Sequence, residues 1–332
     1  MALRILTEFK LRGYIESLIG GRAENQDSAG ALDTAIGTVI VVCDGMGGLN
    51  GGKRASMLGV QTIIDDIAKA KTNENPKEVL DRAIRHANDV IIKAGQEDDS
   101  LYGMGTTVTA VIVNKQCVTA AYVGDSRIYQ IRDKKKVFRT TDHSQVFELV
   151  KIGKLTEEEA RLAPNSNIIL KALGVSESVA PDIFTLPYVS GDRFVLCTDG
   201  FWGAVSEKEL FKMVSRKGDL RTLIQDTTTE VNLIGVRNGG THDNLTVAIF
   251  DRGCDSKMKI KMRKSVKLLI SVLAALLFAS LVLNICQFTQ NRVNSEKAKA
   301  AVALRDSLAV SPCDTIVCVN TFVNALGSDD KK

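Results

Sequence analysis

Four aspartates stand at the tips of apolar, β-branched runs, and their positions constrain the fold more than any other feature of the sequence. Asp44, Asp125 and Asp199 each follow such a run, and Asp243 precedes one. A single Asp-Gly after a strand would indicate only a turn. Four carboxylates at strand ends are different, because burying an unpartnered carboxylate is costly unless a cation neutralises it. Oxygen ligands without a Cys/His set favour Mg²⁺ or Mn²⁺ over zinc, so the pattern predicts a metal site.

The composition is that of a globular protein with room for one large domain or two ordinary ones. The chain has 332 residues, of which 45% are apolar and 25% charged, both ordinary values. Its net charge of +4 is concentrated before one hydrophobic segment. Because no basic and aromatic stripe runs through the rest, no nucleic-acid partner is expected.

The cysteines and the N-terminal residues both favour the cytoplasm for the first part of the chain. Cys43, Cys117 and Cys197 fall in predicted strands and are expected to be small core residues in a reducing compartment. There is no Cys-x-x-Cys pair, so no structural zinc site is expected. Residues 1–22 lack the apolar run of a signal peptide.

A second landmark is an apolar segment near the C-terminus. Leu268–Leu283 is interrupted only by Ser271 and Ser280, and no charge follows until Arg292. A core helix normally keeps a polar stripe, whereas about 20 such residues span a bilayer as a helix. The sequence therefore predicts a transmembrane helix at 268–288.

Charge on either side of this segment predicts its orientation. Residues 255–267 form a basic linker that places the preceding residues, 1–254, in the cytoplasm under the positive-inside rule. The protein is then expected in the cell membrane with a single span and a short extracytoplasmic tail, 289–332, in which Glu296–Leu308 favours a helix. Cys313 and Cys318 in this tail leave a disulfide and two free thiols equally open. The linker's basic residues are Lys257, Lys259, Lys261, Arg263, Lys264 and Lys267.

Within 1–254, the order of elements predicts an α+β fold. The predicted elements follow one another without regular βαβ alternation, which favours antiparallel sheets covered by helices. Their order is strands, two helices, more strands, a polar helical stretch, a strand, two helices and a strand. The predicted strands lie near Thr38–Cys43, Thr107–Val113, Cys117–Val123, Arg127–Gln130, Phe194–Thr198 and Leu245–Phe250. The predicted helices are Lys53–Ala70, Pro76–Lys93, Glu207–Val214 and Leu220–Val236.

The glycines after Asp44 and the histidines are the remaining candidates for a site. The glycines indicate either a flexible loop or a backbone that approaches a ligand; they are Gly47, Gly48, Gly51 and Gly52. No histidine is expected to bind metal. His86 is expected near the surface and His143 in a structural hydrogen bond. His242 adjoins Asp243 and is expected to face away from the metal.

Eight collinear motifs resemble the metal-dependent protein serine/threonine phosphatases of type 2C, in their bacterial form, over roughly Leu11 to Asp251. The motifs are Asn25-Gln26-Asp27-Ser28, Asp44-Gly45-Met46-Gly47-Gly48, Gly105-Thr106-Thr107, Gly124-Asp125-Ser126-Arg127, Thr141-Asp142-His143-Ser144, Ala172-Leu173-Gly174, Thr198-Asp199-Gly200 and Asp243-Asn244-Leu245-Thr246-Val247. The resemblance implies a four-layer sandwich of two antiparallel β-sheets flanked by helices.

The resemblance also implies the metal ligands. In that family, Asp44 would bridge two Mg²⁺ or Mn²⁺ ions. Asp199 and Asp243 would complete one ion, and the Gly45 carbonyl would reach the other. Asp125 resembles the residue that helps to bind a third, looser ion.

Further roles follow from the same resemblance. Asp27 would hold metal-bound water, Arg22 would grip the substrate phosphate, and Ser144–Leu170 matches a mobile flap near the site. Two departures stand out. Gln26 replaces the glutamate of some members, which predicts weaker metal affinity. Met46 is typical of the bacterial branch, and no histidine matches the general acid of many eukaryotic members.

The chemistry expected of this site is hydrolysis of phosphoserine and phosphothreonine on proteins. Two divalent ions lower the pKa of a bridging water, and the resulting hydroxide attacks phosphorus in line. The expected partners are the membrane and phosphorylated substrates of a membrane serine/threonine kinase. Two alternatives remain from the sequence: a catalytically weak signalling scaffold with a phosphatase fold, and a small-molecule phosphoesterase or two-metal nuclease.

Overall fold

The computed structural model describes residues 2–3, 11–252 and 264–308 of the chain, with side chains described for 11–47, 51–251, 279–280 and 282–303. Contacts divide the chain into two units, Met1–Lys257 and Met258–Lys332. The four-part division predicted from the sequence, with boundaries at 254, 267 and 288, stays a prediction.

The first unit contains two antiparallel sheets and a short ribbon. Sheet one has the strand order β1-β2-β13-β12-β9-β10, sheet two the order β11-β8-β7-β4-β3, and β5 pairs with β6. The strands are β1 Ala2–Leu3, β2 Leu11–Leu18, β3 Ser28–Thr34, β4 Gly37–Cys43, β5 Gly45–Met46, β6 Gly105–Thr106, β7 Val108–Val113, β8 Cys117–Val123, β9 Arg127–Arg132, β10 Lys135–Arg139, β11 Asp182–Pro187, β12 Arg193–Cys197 and β13 Leu245–Arg252.

Helices cover the outer face of each sheet and also form the described part of the second unit. Several begin at polar caps, such as Asn75 before α2 and the capping box of Ser206 and Glu209 at α6. The helices are α1 Gly48–Ala68, α2 Pro76–Glu97, α3 Gln145–Lys151, α4 Glu157–Leu162, α5 Asp199–Trp202, α6 Glu207–Val214, α7 Leu220–Arg237 and, in the second unit, α8 Lys264–Leu308.

Three apolar clusters separate four layers. One lies between α1–α2 and sheet two, one between the two sheets, and one between sheet one and α5–α7. Strand β4 contributes to two of these clusters. Val39 and Val41 pack toward the helices, and Ile40 and Val42 pack toward the other sheet. Because both faces of such a strand are buried, its sequence is a continuous apolar run rather than an alternating one. The predicted α+β fold with two antiparallel sheets flanked by helices is confirmed.

Strand directions explain how distant aspartates reach one edge. Strands β4 and β8 both pair antiparallel with β7, so they run the same way and both end at the same edge of sheet two. The end of β12 pairs with the beginning of β13, with Cys197 opposite Val247. The residues after β12 and before β13 therefore meet at one edge of sheet one.

The sequence prediction missed seven strands of the first unit and placed one helix start wrongly. The strands that were not predicted are β1, β2, β3, β5, β6, β10 and β11. Both β3 and β10 are half-exposed edge strands with few large apolar residues, which gives a weak sequence signal. Helix α1 begins at Gly48 rather than Lys53. The glycines after Asp44 are therefore mostly helical, and the flexible-loop interpretation is wrong for them.

One continuous helix, α8, replaces the two helices predicted at 268–288 and Glu296–Leu308, since no Gly or Pro interrupts 264–308. Over the residues that the structure describes, no helix is both long enough and apolar enough to cross a membrane. The predicted transmembrane helix at 268–288 is thus not supported. Most of its side chains, together with Cys313 and Cys318, lie outside the described residues.

Candidate active site

Asp44 is held by the backbone and hydroxyls of the segment that enters β7. The Asp44 N–H donates to Thr107 Oγ1 at 3.1 Å, and the Asp44 carbonyl accepts from the Thr107 N–H at 2.8 Å and from Thr106 Oγ1 at 2.7 Å. These three bonds fix the main chain just beyond β4. They leave the carboxylate free to point into the site.

Asp199 begins α5, and Asp27 lies behind it. Thr198 Oγ1 donates to Asp27 Oδ2 at 2.9 Å, which joins the start of α5 to the segment before β3. The second oxygen of Asp27 and Oδ1 of Asp199 are both buried, and neither has a hydrogen-bond partner. Two buried, unpaired carboxylate oxygens carry a large desolvation cost, so a ligand that accepts their lone pairs is needed.

Asp125 follows β8, and its main chain is held from two sides. Trp202 Nε1 donates to the Asp125 carbonyl at 3.1 Å. The Gly124 N–H donates to His143 Nδ1 at 3.1 Å, and the His143 N–H donates back to the Gly124 carbonyl at 3.0 Å. His143 therefore has the structural role expected of it.

Arg22 and Asp243 form a two-pronged ion pair. Arg22 Nε donates to Asp243 Oδ1 at 3.1 Å, and Nη2 donates to Oδ2 at 2.8 Å. Asn244 ties the two segments together, because its Nδ2 donates to the carbonyls of Ile19 and Glu24. The predicted phosphate-gripping arginine thus lies beside a predicted metal ligand.

These groups share one cleft of about 540 Å³. Six of the seven sequence-predicted site residues line it, and Asp27 lies buried behind them, as expected of a residue that acts through water. The lining residues are Arg22, Ala23, Glu24, Gln26, Asp44, Gly45, Met46, Gly47, Thr107, Asp125, Asn167, Ile169, Asp199, Asp243 and Asn244.

Burial and mutual repulsion raise the carboxyl pKa values in this cleft. Burial raises the pKa of Asp199 to about 6, with a contribution from the Asp243 charge. Burial raises the pKa of Asp27 to about 7, and the charges of Asp199 and Asp243 add to the effect. The pKa values of Asp44 and Asp125 also lie well above the usual range, chiefly through burial and then through neighbouring carboxylates. Cations beside these groups would lower their pKa values and favour the ionised form at neutral pH.

The donor chemistry of the cleft fits hard divalent cations. It supplies carboxylate oxygens, two of them buried and unpaired, and no thiolate or imidazole lines it. Over the described part of the chain, no three His, Cys, Asp or Glu side chains converge as a ready ligand set for one ion. One reason for the missing ligand set is that both carboxylate oxygens of Asp243 accept hydrogen bonds from Arg22.

The chain is similar to known proteins in sequence and in fold. The family model described as protein phosphatase 2C matches residues 16–217. The chain belongs to the protein phosphatase 2C family. The match includes Asp44, Asp125 and Asp199, and the relatives described next extend it further along the chain.

Bacterial phosphatases are similar over most of the first unit. The serine/threonine phosphatase stp of Listeria monocytogenes is 33% identical over 240 residues, which cover 71% of this chain and 93% of that protein. The S. agalactiae serine/threonine phosphatase structure is 33% identical, with a TM-score of 0.66, and covers 73% of this chain and 99% of that one. The catalytic domain of PstP in complex with two manganese ions is 30% identical, with a TM-score of 0.63 and coverages of 73% and 97%.

The segment expected to be the flap of this phosphatase forms one wall of the cleft. It contains α3 and α4, and it returns to the site through an antiparallel bridge between Ser144 and Ile169. Asn167 and Ile169 line the cleft. Its mobility stays a prediction.

Glycines near Asp44 serve close packing rather than a loop. A Cβ on Gly45 would lie 2.0 Å from the Gly52 carbonyl oxygen, and one on Gly52 would lie 2.6 Å from Gln26 Oε1. Helix α1 therefore approaches the site with its backbone, which only glycine permits.

The remaining histidines and cysteines lie away from the chemistry. His86 is exposed and bonds to Asp66. The ring of His242 bonds through Nε2 to Asn232 at 2.8 Å, away from the cleft. Cys43 and Cys197 are buried in the cores, where burial raises the pKa of each thiol.

Sequence reasoning missed the residues that position the ligands. Thr107 and Trp202 hold the main chain of Asp44 and Asp125, and Asn244 holds the main chain on either side of Arg22. Thr107 and Asn244 lie in recognised motifs, so the sequence marked them as candidates, but a motif does not say which backbone atom a side chain contacts. Trp202 lies two residues beyond a motif, so nothing in the sequence marked it.

Proposed function

We propose that this phosphatase hydrolyses phosphoserine and phosphothreonine on proteins in a metal-dependent reaction. The observation that carries the proposal is one cleft that joins four aspartates from four strand ends to Arg22. The relatives named serine/threonine phosphatases support the substrate class.

The metal ligands proposed are Asp44, Gly45, Asp199 and Asp243 for two Mg²⁺ or Mn²⁺ ions, and Asp125 for a third, looser ion. The carboxylate donors, their raised pKa values and the two unpaired buried oxygens support this set. So does the similarity to a catalytic domain solved with two manganese ions. When bound, such ions supply an activated bridging water for in-line attack on phosphorus and offset charge on the phosphoryl oxygens.

Arg22 has two competing partners in this scheme. In this structure, Nε and Nη2 of Arg22 donate hydrogen bonds to the two carboxylate oxygens of Asp243. We propose that a metal cation replaces Arg22 as the partner of the Asp243 carboxylate. The guanidinium of Arg22 then binds the substrate phosphate through two parallel hydrogen bonds, for which its planar geometry is suited. Asp27, at the back of the cleft, orders water through its unpaired oxygen.

The side chains of the described residues give no support for a covalent route. The thiols nearest to the aspartates, Cys43 and Cys197, are buried and have raised pKa values, so neither is a ready nucleophile. His143 is engaged by Gly124 and Asp182. Proton donation to the leaving group by water is consistent with this arrangement.

One assay tests the proposal against its alternatives. Purified residues 1–257, a compact unit of its own, are supplied with Mn²⁺ and offered a phosphothreonine peptide, p-nitrophenyl phosphate or DNA. Preferred hydrolysis of the phosphopeptide is expected. No turnover on any substrate would favour a scaffold, and preference for the small ester or DNA would favour another phosphoesterase.

We further propose that the protein is anchored in the cell membrane by 268–288, with the catalytic unit in the cytoplasm and near membrane kinases. The support is the sequence alone: a charge-free apolar run of bilayer length preceded by six basic residues. Anchoring would raise the local concentration of enzyme near membrane substrates. Labelling Cys313 and Cys318 in intact cells with a membrane-impermeant thiol reagent, after mild reduction, tests it. Reaction only after lysis would refute this topology.

A further inference from the structure

The lining of the cleft is chemically mixed. It includes the charged side chains of Arg22 and Glu24 and the apolar side chains of Met46 and Ile169. Arg22 is suited to phosphate recognition, but hydrolysis of a phosphate group gives no reason for apolar side chains in the lining. The apolar side chains therefore call for a separate explanation.

Val175 continues the apolar surface of Met46 beyond the cleft lining. The position that a Cβ on Gly105 would take lies 2.8 Å from Met46 Cε and 3.0 Å from Val175 Cγ2. Both side chains thus pack over the same glycine, and the absence of a side chain there allows them to meet. Met46 and Val175 together are called the apolar rim.

The main chain around Val175 is fixed by a buried amide. Asn88 of α2 is 1% exposed. Its Nδ2 donates to the Ser176 carbonyl at 2.9 Å, and its Oδ1 accepts from the Gly174 N–H at 2.9 Å. These two hydrogen bonds fix the main chain on either side of Val175, yet Val175 itself is 63% exposed. A well-ordered backbone that presents an apolar side chain to solvent is suited to contact a partner, since little ordering entropy is lost on binding.

We propose that the apolar rim is a specificity surface that binds an apolar side chain adjacent to the phosphorylated residue of the substrate. This proposal rests on the proposed protein phosphatase function. The occupant follows from continuity: once a phosphoresidue enters the cleft, the neighbouring residues of the same peptide must cross its margin. An aliphatic side chain there removes apolar surface from water on both partners, whereas a carboxylate would be desolvated without a counter-charge.

Two phosphothreonine peptides test the proposal on residues 1–257 with Mn²⁺. They differ only in carrying Leu or Glu on both sides of the phosphothreonine. The wild type is expected to favour the Leu peptide roughly tenfold in kcat/KM. Val175→Asp is expected to bring this ratio close to one, and Val175→Ile to keep it. Because the readout is a ratio from one preparation, it does not depend on the fraction of active enzyme.

The matched control is Val189→Asp. Val189 is also exposed, at 52%, but it lies in the turn after β11 and outside the cleft lining. This variant is expected to keep the wild-type ratio. A wild-type ratio near one, or an unchanged ratio in Val175→Asp, overturns the apolar rim while phosphatase activity stands. Absence of turnover on both peptides overturns the phosphatase function and the rim with it.

Discussion

Replacing Asp27 with asparagine should stabilise the metal-free first unit at pH 8. Asp27 is only 8% exposed, one of its oxygens has no partner, and its pKa is raised to about 7. At about 1.4 kcal/mol per pH unit, the rise from 3.8 to about 7 corresponds to at most about 4 kcal/mol of destabilisation when the group is ionised. Asparagine keeps the shape and an acceptor for Thr198 but carries no charge.

The sign of the pH dependence follows from the raised pKa. The penalty is fully present above about pH 7, and it is relieved as the pH falls through the folded-state pKa toward 3.8. In EDTA, the variant should therefore melt roughly 10 °C above the wild type at pH 8, and the gap should shrink to under about 5 °C at pH 5. Mn²⁺ should stabilise the wild type more than the variant.

Thermal unfolding of residues 1–257 at the two pH values, with EDTA and then with Mn²⁺, measures these differences. Asp192→Asn is the matched control of opposite sign. Asp192 is buried, but hydrogen bonds from Arg132 and the Val189 N–H overcome that burial and hold its pKa below the usual value. Its loss should destabilise by a similar amount at pH 8 and pH 5, because both lie above 3.8 and the stabilisation fades only as the pH falls through the lower folded-state pKa. An Asp27→Asn variant that is less stable than wild type at pH 8, or a gap independent of pH, would refute the reasoning.

Three further predictions concern the cleft. Asp44→Ala and Asp199→Ala should each abolish hydrolysis with Mn²⁺, because each removes a charged ligand, and near wild-type turnover in either would show the site to be misassigned. Arg22→Ala should raise KM for a phosphopeptide more than it lowers kcat, and an unchanged KM would argue against a phosphate contact. Thr107→Val should lower the free energy of unfolding by about 1–3 kcal/mol, because it leaves the Asp44 N–H without its hydroxyl acceptor; denaturant unfolding with no loss would contradict this.

The sequence by itself indicated the buried strands and the carboxylates at their ends. Strands such as β4 are buried on both faces, so their apolar runs are visible without any knowledge of neighbours. The aspartates at their tips stand out because the adjoining residues are uniformly apolar. The apolar runs and the aspartates beside them are both local patterns of neighbouring residues, so they can be recognised from the sequence without a structure.

Only the tertiary structure decided what those carboxylates contact. The pairing of Arg22 with Asp243 joins residues 221 positions apart, and the grip of Asn88 around Val175 joins α2 to a loop 86 and 88 positions away. No periodicity encodes such contacts, because each depends on how separate elements pack. The edge strands β3 and β10 were hidden for a related reason: their half-exposed sequences gain strand structure from the backbone of a neighbour rather than from their own side chains.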